Sequence, residues 1–181
     1  MTVIIDGTAG ITFPVTAGSA SAVQASSGRV LQAVSTTKTD TFTTTSTSFT
    51  DITGISVSIT PSSATSKIFV TCSFQFGVGS GSGYAIFRML RDATVINNGV
   101  AAGSRSSGIL GTNIIGADGN TGQMLSTNFL DSPSTTSATT YKMQVAHTGG
   151  NTALVGTGNT DGNISGQVRS ASTITVMEIS A

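Results

Sequence analysis

Several short stretches of this sequence alternate strictly between apolar and polar residues, and this alternation constrains the fold more than any other feature. In the clearest stretch, Ile68, Val70, Cys72, Phe74 and Phe76 share one face, while Thr71, Ser73 and Gln75 share the other. Successive side chains of a β-strand point to opposite faces, so a period of two predicts a strand with one buried and one solvated face. Such half-buried strands are typical of antiparallel sheets.

The same pattern recurs along the chain from about residue 30. Alternating segments occupy 55–59, 141–145 and 173–179, and further strand candidates are 30–34, 39–47, 84–91, 109–115 and 123–130. Stretches rich in Gly and Asn separate them at 77–83, 97–99, 118–120, 149–151 and 156–166. Because no segment shows a helical stripe, we predict an all-β fold, an antiparallel β-sandwich with a jelly roll as the preferred arrangement. The strand order does not follow from the spacing.

Two segments, 48–70 and 124–145, share one plan. Each has a strand, a bridge that begins with Pro-Ser, and then a second alternating strand. The bridge has to reverse the chain. We therefore interpret the two segments as related corners of the sandwich.

Residues 1–28 differ from the rest and are predicted to form a short extended arm before a head domain at 29–181. The arm is rich in small residues and holds two apolar patches, whose candidate anchoring residues are Val3, Ile4, Ile5, Ile11 and Phe13. These patches cannot bury themselves in an isolated arm, so we expect them to dock on a partner or on the head. The alternative is a terminus that frays.

The composition argues against several classes of function. Ser and Thr account for 57 of the 181 residues, while only 9% are charged, against about 25% in an average domain. Lys and Arg are scattered, which disfavours nucleic-acid binding, and no apolar run reaches the length needed for membrane insertion. The single cysteine, Cys72, excludes an intrachain disulfide. A net charge of zero favours a defined oligomer.

The residues that could support catalysis are few. His147 is the only histidine and is interpreted as a polar residue at a strand end. Seven of the eight carboxylates are Asp, in contexts that we interpret as turns, where the side chain caps backbone amides. The two Asp-Gly-Asn sequences at 118–120 and 161–163 lack the pattern of a calcium loop. We therefore predict a protein that is not an enzyme, with no catalytic residues, no cofactor and no metal site.

Several separate blocks of the sequence resemble known proteins. Residues 6–14, Asp-Gly-Thr-Ala-Gly-Ile-Thr-Phe-Pro, resemble an opening common in fibre and virion-surface proteins of tailed bacteriophages. The blocks at 28–40, 50–59, 129–133 and 172–179 resemble the head domain of phage tail-fibre-like proteins. The resemblance implies a homotrimer with a jelly-roll head, located in a virion that is assembled in the host cytoplasm. It supplies no catalytic residues.

Three functions remain open at this point. The first is a short trimeric tail-fibre protein, anchored by its arm to other virion proteins of the tail or baseplate, with loops 77–83, 97–108 and 156–166 facing a host surface receptor. The second is a capsid decoration or cement protein, whose trimers and arm hold the major capsid protein. A carbohydrate-cleaving tailspike is a distant third. Candidates for the core of the trimer or of the subunit are Ile68, Val70, Phe74, Phe76, Ile174 and Val176.

Overall fold

The described part of the chain consists of β-strands joined by turns and by longer connections such as 97–109 and 156–171. A computed structural model describes residues 4–6, 10–12, 27–79, 83–112, 121–149 and 151–181. Its strands are β1 (Ile4–Asp6), β2 (Gly10–Thr12), β3 (Val30–Lys38), β4 (Phe42–Thr44), β5 (Thr50–Ile59), β6 (Lys67–Val78), β7 (Ala85–Arg91), β8 (Thr94–Ile96), β9 (Leu110–Thr112), β10 (Gln123–Asp131), β11 (Thr139–His147), β12 (Ala153–Val155) and β13 (Ser172–Ile179). The prediction of an all-β fold is confirmed.

The strands after β2 form two antiparallel sheets. Sheet I contains β3, β4, β6, β10, β12 and β13, and sheet II contains β5, β7, β8, β9 and β11. Along one edge of β6, β12 pairs with residues 76–78 and β13 pairs with residues 67–73. The two strands lie end to end along this edge and therefore count as one strand position. Their outer neighbours β4 and β3 share the next position, and β8 and β9 share a position beside β7. Each sheet is therefore four strand positions wide.

The pairing has the symmetry of a rolled hairpin. We number the positions 1 to 8 in chain order, so that β3 and β4 form position 1, β5, β6 and β7 form positions 2 to 4, β8 and β9 form position 5, β10 and β11 form positions 6 and 7, and β12 and β13 form position 8. The order of these positions is 1-8-3-6 in sheet I and 2-7-4-5 in sheet II. Position 1 pairs with 8, 2 with 7, 3 with 6 and 4 with 5, all antiparallel. Eight strands wound in this way form the double-sheet arrangement of a jelly roll, which agrees with the predicted arrangement.

The core lies between the two sheets and is formed by the inward residue of each alternating pair. Phe74 and Phe76 of β6 meet Phe87 of β7, with ring centroids 5.3 and 4.9 Å apart respectively. Tilted and edge-to-face rings at this spacing add to the stability that burial provides. The three rings connect the two sheets in the half of the sandwich that contains β12 and the start of β7.

The sandwich has two ends with different contents. At the end we call the arm end, Val30 lies opposite Ile179 and Asp131 lies opposite Ile68, so residues 28–29, 60–66 and 132–138 lie together there. At the loop end, β12 pairs with the last residues of β6, and connections 45–49 and 148–152 lie there. The similar segments 48–70 and 124–145 both cross between the sheets at the arm end, as predicted for corners.

Some strand boundaries differ from the prediction. The expected strand at 39–47 is reduced to β4, and the one at 109–115 to β9, whose last three predicted residues lie outside the described residues. Strands β1, β2, β8 and β12 were not predicted. Each is three residues long, which is too short for an alternation to be recognised.

Candidate functional site

The arm joins the head at the arm end through backbone hydrogen bonds. The Gly28 amide donates to the Ser180 carbonyl at 2.8 Å, and the Ser180 amide donates to the Arg29 carbonyl at 2.9 Å. Before this junction, β1 and β2 pair antiparallel, with Ile4 opposite Thr12. An isolated two-stranded hairpin is at best marginally stable in water, so this pair gains stability from whatever it contacts.

The five candidate anchoring residues fall partly within the description. Ile4 and Ile5 belong to β1 and Ile11 belongs to β2. Val3 and Phe13 lie outside the described residues. An anchoring role for the five residues, and the boundary between arm and head, stay predictions.

A buried carboxylate stabilises the connection next to this junction. Glu178 is fully buried, and its Oε1 accepts hydrogen bonds from the Ser62 amide at 2.8 Å and the Ser62 hydroxyl at 2.6 Å. Its Oε2 accepts a bond from Gln32 Nε2 at 2.6 Å. Desolvation alone would raise the pKa of Glu178, but the hydrogen bonds from Ser62, Gln32 and Ser66 outweigh it and hold the pKa at about 2. The charged carboxylate therefore ties the 60–66 connection to β13.

A second inward carboxylate, Asp131, bridges the two sheets. Arg91 Nη1 donates to both of its oxygens at 2.8 Å, and the Tyr141 hydroxyl donates to Oδ2 at 2.8 Å. Burial, and then the bond to Asp131, raise the pKa of the Tyr141 hydroxyl. Asp131 lies in sheet I and both donors lie in sheet II, so the cluster holds the sheets together at the arm end.

Asp131 and Asp51 lie in strands β10 and β5, which corrects the interpretation of all seven Asp residues as turn residues. The other buried carboxylate, Glu178, lies in the same inward row as Asp131. Ile68 is paired with Glu178 on one side and with Asp131 on the other, so all three side chains share one inward row of sheet I. The alternation in the sequence indicates an inward position for Glu178, because this residue lies two and four positions after the apolar Val176 and Ile174. Both carboxylates are saturated with donors of the same chain, which makes their role structural.

The six candidate residues of the trimer or subunit core all point inward. Ile68, Val70, Phe74, Phe76, Ile174 and Val176 are each fully buried in the cluster between the sheets. A second copy of the chain cannot contact side chains in that position. Contacts between subunits would therefore have to use other residues.

His147 is the last residue of β11 and is fully buried. Its Nδ1 accepts a hydrogen bond from the Asn151 amide at 3.2 Å, and its Nε2 has no hydrogen-bond partner. Burial lowers the pKa of the imidazole, which favours the neutral ring. No described serine hydroxyl or carboxylate binds either ring nitrogen, so the geometry does not assemble a Ser-His-Asp triad around it.

The connection 156–171 folds back over the outward face of sheet I near the loop end. The Gly156 amide donates to the Gln75 carbonyl at 2.8 Å, and the Asn159 amide donates to the Thr121 carbonyl at 2.9 Å. Gly77 lies directly beneath it: a Cβ there would be 2.2 Å from the Gly158 carbonyl carbon. The close approach of two backbones is possible only because Gly77 has no side chain.

Two surface clefts lie beside the predicted recognition loops. One, of about 460 Å³, is lined by residues of 157–169, among them the ion pair of Asp161 with Arg169. The other, of about 420 Å³, has Tyr84 and Thr148 at the loop end and Arg105 from the segment 97–108. The second cleft places Arg105 of segment 97–108 near Tyr84, which follows segment 77–83, whereas segment 156–166 lines the first cleft. Residues 80–82 lie outside the description.

Other kinds of site find little support in the described part of the chain. No group of three or more His, Cys, Asp or Glu side chains in it could hold a metal ion. Within the same residues, no helix is long and apolar enough to cross a membrane.

Comparison with known proteins identifies no family. No family model matches the chain, and no curated protein matches it. Among solved structures, the chain is similar to one described as "The 2.6A structure of Infectious Bursal Virus Derived T=1 Particles", with a TM-score of 0.41 and 12% identity. The match covers 84% of this chain but only 37% of that chain, so this chain spans well under half of it.

Proposed function

We propose that this chain is a non-enzymatic structural component of a bacteriophage virion, and specifically a short trimeric tail-fibre protein. The observation that carries the proposal is that the two ends of the sandwich differ. Gly28, which follows the arm, pairs with Ser180 at one end of the sandwich, whereas the cleft beside Tyr84 and Thr148 and the part of connection 156–171 that covers Gly77 lie toward the other end. A protein that is held at one end and recognises a surface at the other requires this separation.

The chemistry of the described side chains supports a structural role. The two buried carboxylates accept hydrogen bonds from donors of the same chain, and among the described residues no hydroxyl or carboxylate is hydrogen bonded to either ring nitrogen of His147. Loops on a rigid scaffold commonly carry binding functions. In this proposal the loop-end segments contact a host surface receptor, and the arm binds other virion proteins of the tail or baseplate.

A capsid decoration protein is the second candidate, and one observation favours it. The two apolar patches of the arm would be buried if the arm were clamped between neighbouring capsid subunits. The number of copies per virion separates the two functions. Quantitative mass spectrometry of purified virions, referenced to the major capsid protein, should give on the order of tens of copies for a tail fibre. A count in the hundreds would reject the fibre and favour decoration.

Deletion of residues 1–28 tests the arm in either location. We expect the truncated protein to fold and remain trimeric, because β3 to β13 form the sandwich without it. It should be missing from virions assembled in its presence, and normal incorporation would contradict the anchoring role. Degradation of host surface polysaccharide by the purified full-length protein would instead indicate a tailspike.

A further inference from the structure

The outward face of sheet I carries a regular grid of uncharged side chains. In register across β10, β6, β13 and β3, the rows are Leu130–Phe69–Met177–Ala33, Asn128–Thr71–Thr175–Ser35 and Ser126–Ser73–Thr173–Thr37. We call these twelve positions the neutral face. One row is wholly apolar and crosses the full width of the sheet at the arm end. The other two rows consist of hydroxyl groups and one amide.

The outward face of sheet II differs because it carries charged side chains. There Asp51 accepts hydrogen bonds from Lys142 Nζ at 2.8 Å and from Gln144 Nε2 at 2.6 Å. Arg88 donates to Gln144 at 2.8 Å and lies 3.7 Å from the centroid of the Phe49 ring. These charged side chains of sheet II are already paired within the chain. On the outward side of sheet I, the exposed Lys67 lies one row beyond the apolar row, where its Nζ donates to the Ser132 hydroxyl, and the twelve positions of the neutral face carry no charge.

This asymmetry affects the cost of covering each face. Removing an ionised group from water is expensive unless it is paired in the complex, whereas hydroxyl groups and methylene groups are covered at much lower cost. Several side chains of the neutral face remain accessible, and Leu130 at the edge of the apolar row is 54% exposed. A continuous apolar row of this kind marks a surface suited to association.

The chain already covers one end of this same sheet face with its own residues. Connection 156–171 packs over Gly77, and the Ser170 hydroxyl is hydrogen bonded to Gln75 in the strand beneath. The covering segment is rich in Gly, Asn, Ser and Thr. Chain of this composition therefore packs well against an uncharged sheet surface.

We propose that the neutral face is the surface through which copies of this chain associate, each copy turning it toward a shared threefold axis. The inference deepens the proposed function, because it rests on the trimer and assigns its contacts to residues. The twelve positions carry no charge to complement an acidic or basic partner. Around a threefold axis, one half of the grid faces the other half on the neighbouring copy, which is equally uncharged. With strands 4.8 Å apart and rows about 6.7 Å apart, the grid covers about 400 Å². Each copy of a trimer contacts two neighbours, so the grid supplies about 200 Å² to each contact, about a quarter of the 800 Å² per partner in a standard interface, and flanking residues have to supply the rest.

Two exposed positions allow a test that leaves the core untouched. Leu130→Lys and Ser126→Lys place charges on the neutral face from the edge strand β10, where both side chains are exposed. Ser56→Lys is the matched control, because Ser56 is an exposed outward serine of the edge strand β5 in sheet II. The mass of each purified full-length protein is measured by sedimentation and light scattering over a range of concentrations. Circular dichroism and thermal unfolding verify that each variant is folded.

The expected result is a wild-type species of about three times 18.1 kDa that also forms with Ser56→Lys. The Leu130→Lys/Ser126→Lys double variant should be folded and monomeric at concentrations where the wild type is assembled. A trimer that survives both charges, or one that Ser56→Lys disrupts equally, overturns the assignment of the face but not the trimer. A wild type that is monomeric at every concentration overturns both. Presence in virions is measured separately, so the virion role fails or stands independently.

Discussion

Replacement of Gly77 by alanine should detach the connection 156–171 from sheet I. A Cβ at this position would lie 2.2 Å from the carbonyl carbon of Gly158, 2.4 Å from its oxygen and 2.3 Å from the Asn159 nitrogen. These are backbone atoms, so no side-chain rotation relieves the contact. Overpacking costs about 1–3 kcal/mol, and loss of the Asn159–Thr121 hydrogen bond adds about 1 kcal/mol. We expect the free energy of unfolding to fall by about 2–4 kcal/mol, and the melting temperature to fall by about 5–15 °C.

Limited proteolysis separates local detachment from global destabilisation. Arg169 lies within the connection and is paired with Asp161, with Nε to Oδ1 at 2.9 Å and Nη2 to Oδ2 at 2.8 Å. If the connection detaches, trypsin should cut after Arg169 faster in Gly77→Ala than in the wild type, at temperatures where both remain folded. Gly111→Ala is the control, because a Cβ there meets only an ordinary contact at 3.8 Å. A Gly77→Ala protein with wild-type melting and cleavage rates would refute the close approach of the two backbones.

Three further outcomes concern buried groups. Because the pKa of Glu178 is about 2 in the folded chain and 4.5 in the reference state, the unfolded chain binds more protons between these values. Urea titrations should therefore show stability falling as the pH falls from about 4.5 to about 2, and Glu178→Gln should flatten this dependence if the carboxylate is its source. Asp131→Ala leaves the Arg91 guanidinium and the Tyr141 hydroxyl without their acceptor, and the free energy of unfolding should fall by about 3–5 kcal/mol; a loss below about 1 kcal/mol would contradict a bridging role. Burial raises the pKa of the Cys72 thiol to about 12, so thiol reagents should modify it only in denaturant, and rapid labelling of the folded protein would disagree with its position.

Alternation in the sequence was sufficient to predict the inward faces of the long strands. Val70, Phe74 and Phe76 are buried as their parity requires, and Thr71 and Ser73 face outward. The pattern works because an antiparallel sheet with one solvated face has a period of two. The same parity places Glu178 with Ile174 and Val176, but Asp131 was interpreted as a turn residue, and the donors of the two carboxylates could not be predicted. Ser62 and Arg91 are 116 and 40 residues away respectively, and only the pairing of distant strands brings them together.

The strand order and the neutral face could not be predicted from the sequence, for a related reason. A short alternating strand specifies which of its sides is apolar but not which strand lies beside it. The absence of charge from the twelve positions of the neutral face becomes visible only when residues such as Phe69 and Leu130 are placed in one row. Similarly, the requirement for glycine at position 77 depends on a segment 81 residues further along (158 minus 77).

The rolled-hairpin pairing has a consequence for synthesis. Residues 172–179 do not add to the edge of a finished sheet but occupy the position between β3 and β6, where they pair on both sides. Until that stretch has been translated, β3 lacks its neighbour in sheet I, and the rows of the neutral face are interrupted at Thr173, Thr175 and Met177. Loop-closure entropy is incurred before such distant pairings form, so this step belongs to the slow part of folding. A polypeptide that stops short of residue 172 would therefore be unable to present the complete surface, and incomplete chains would be excluded from assembly by the topology itself.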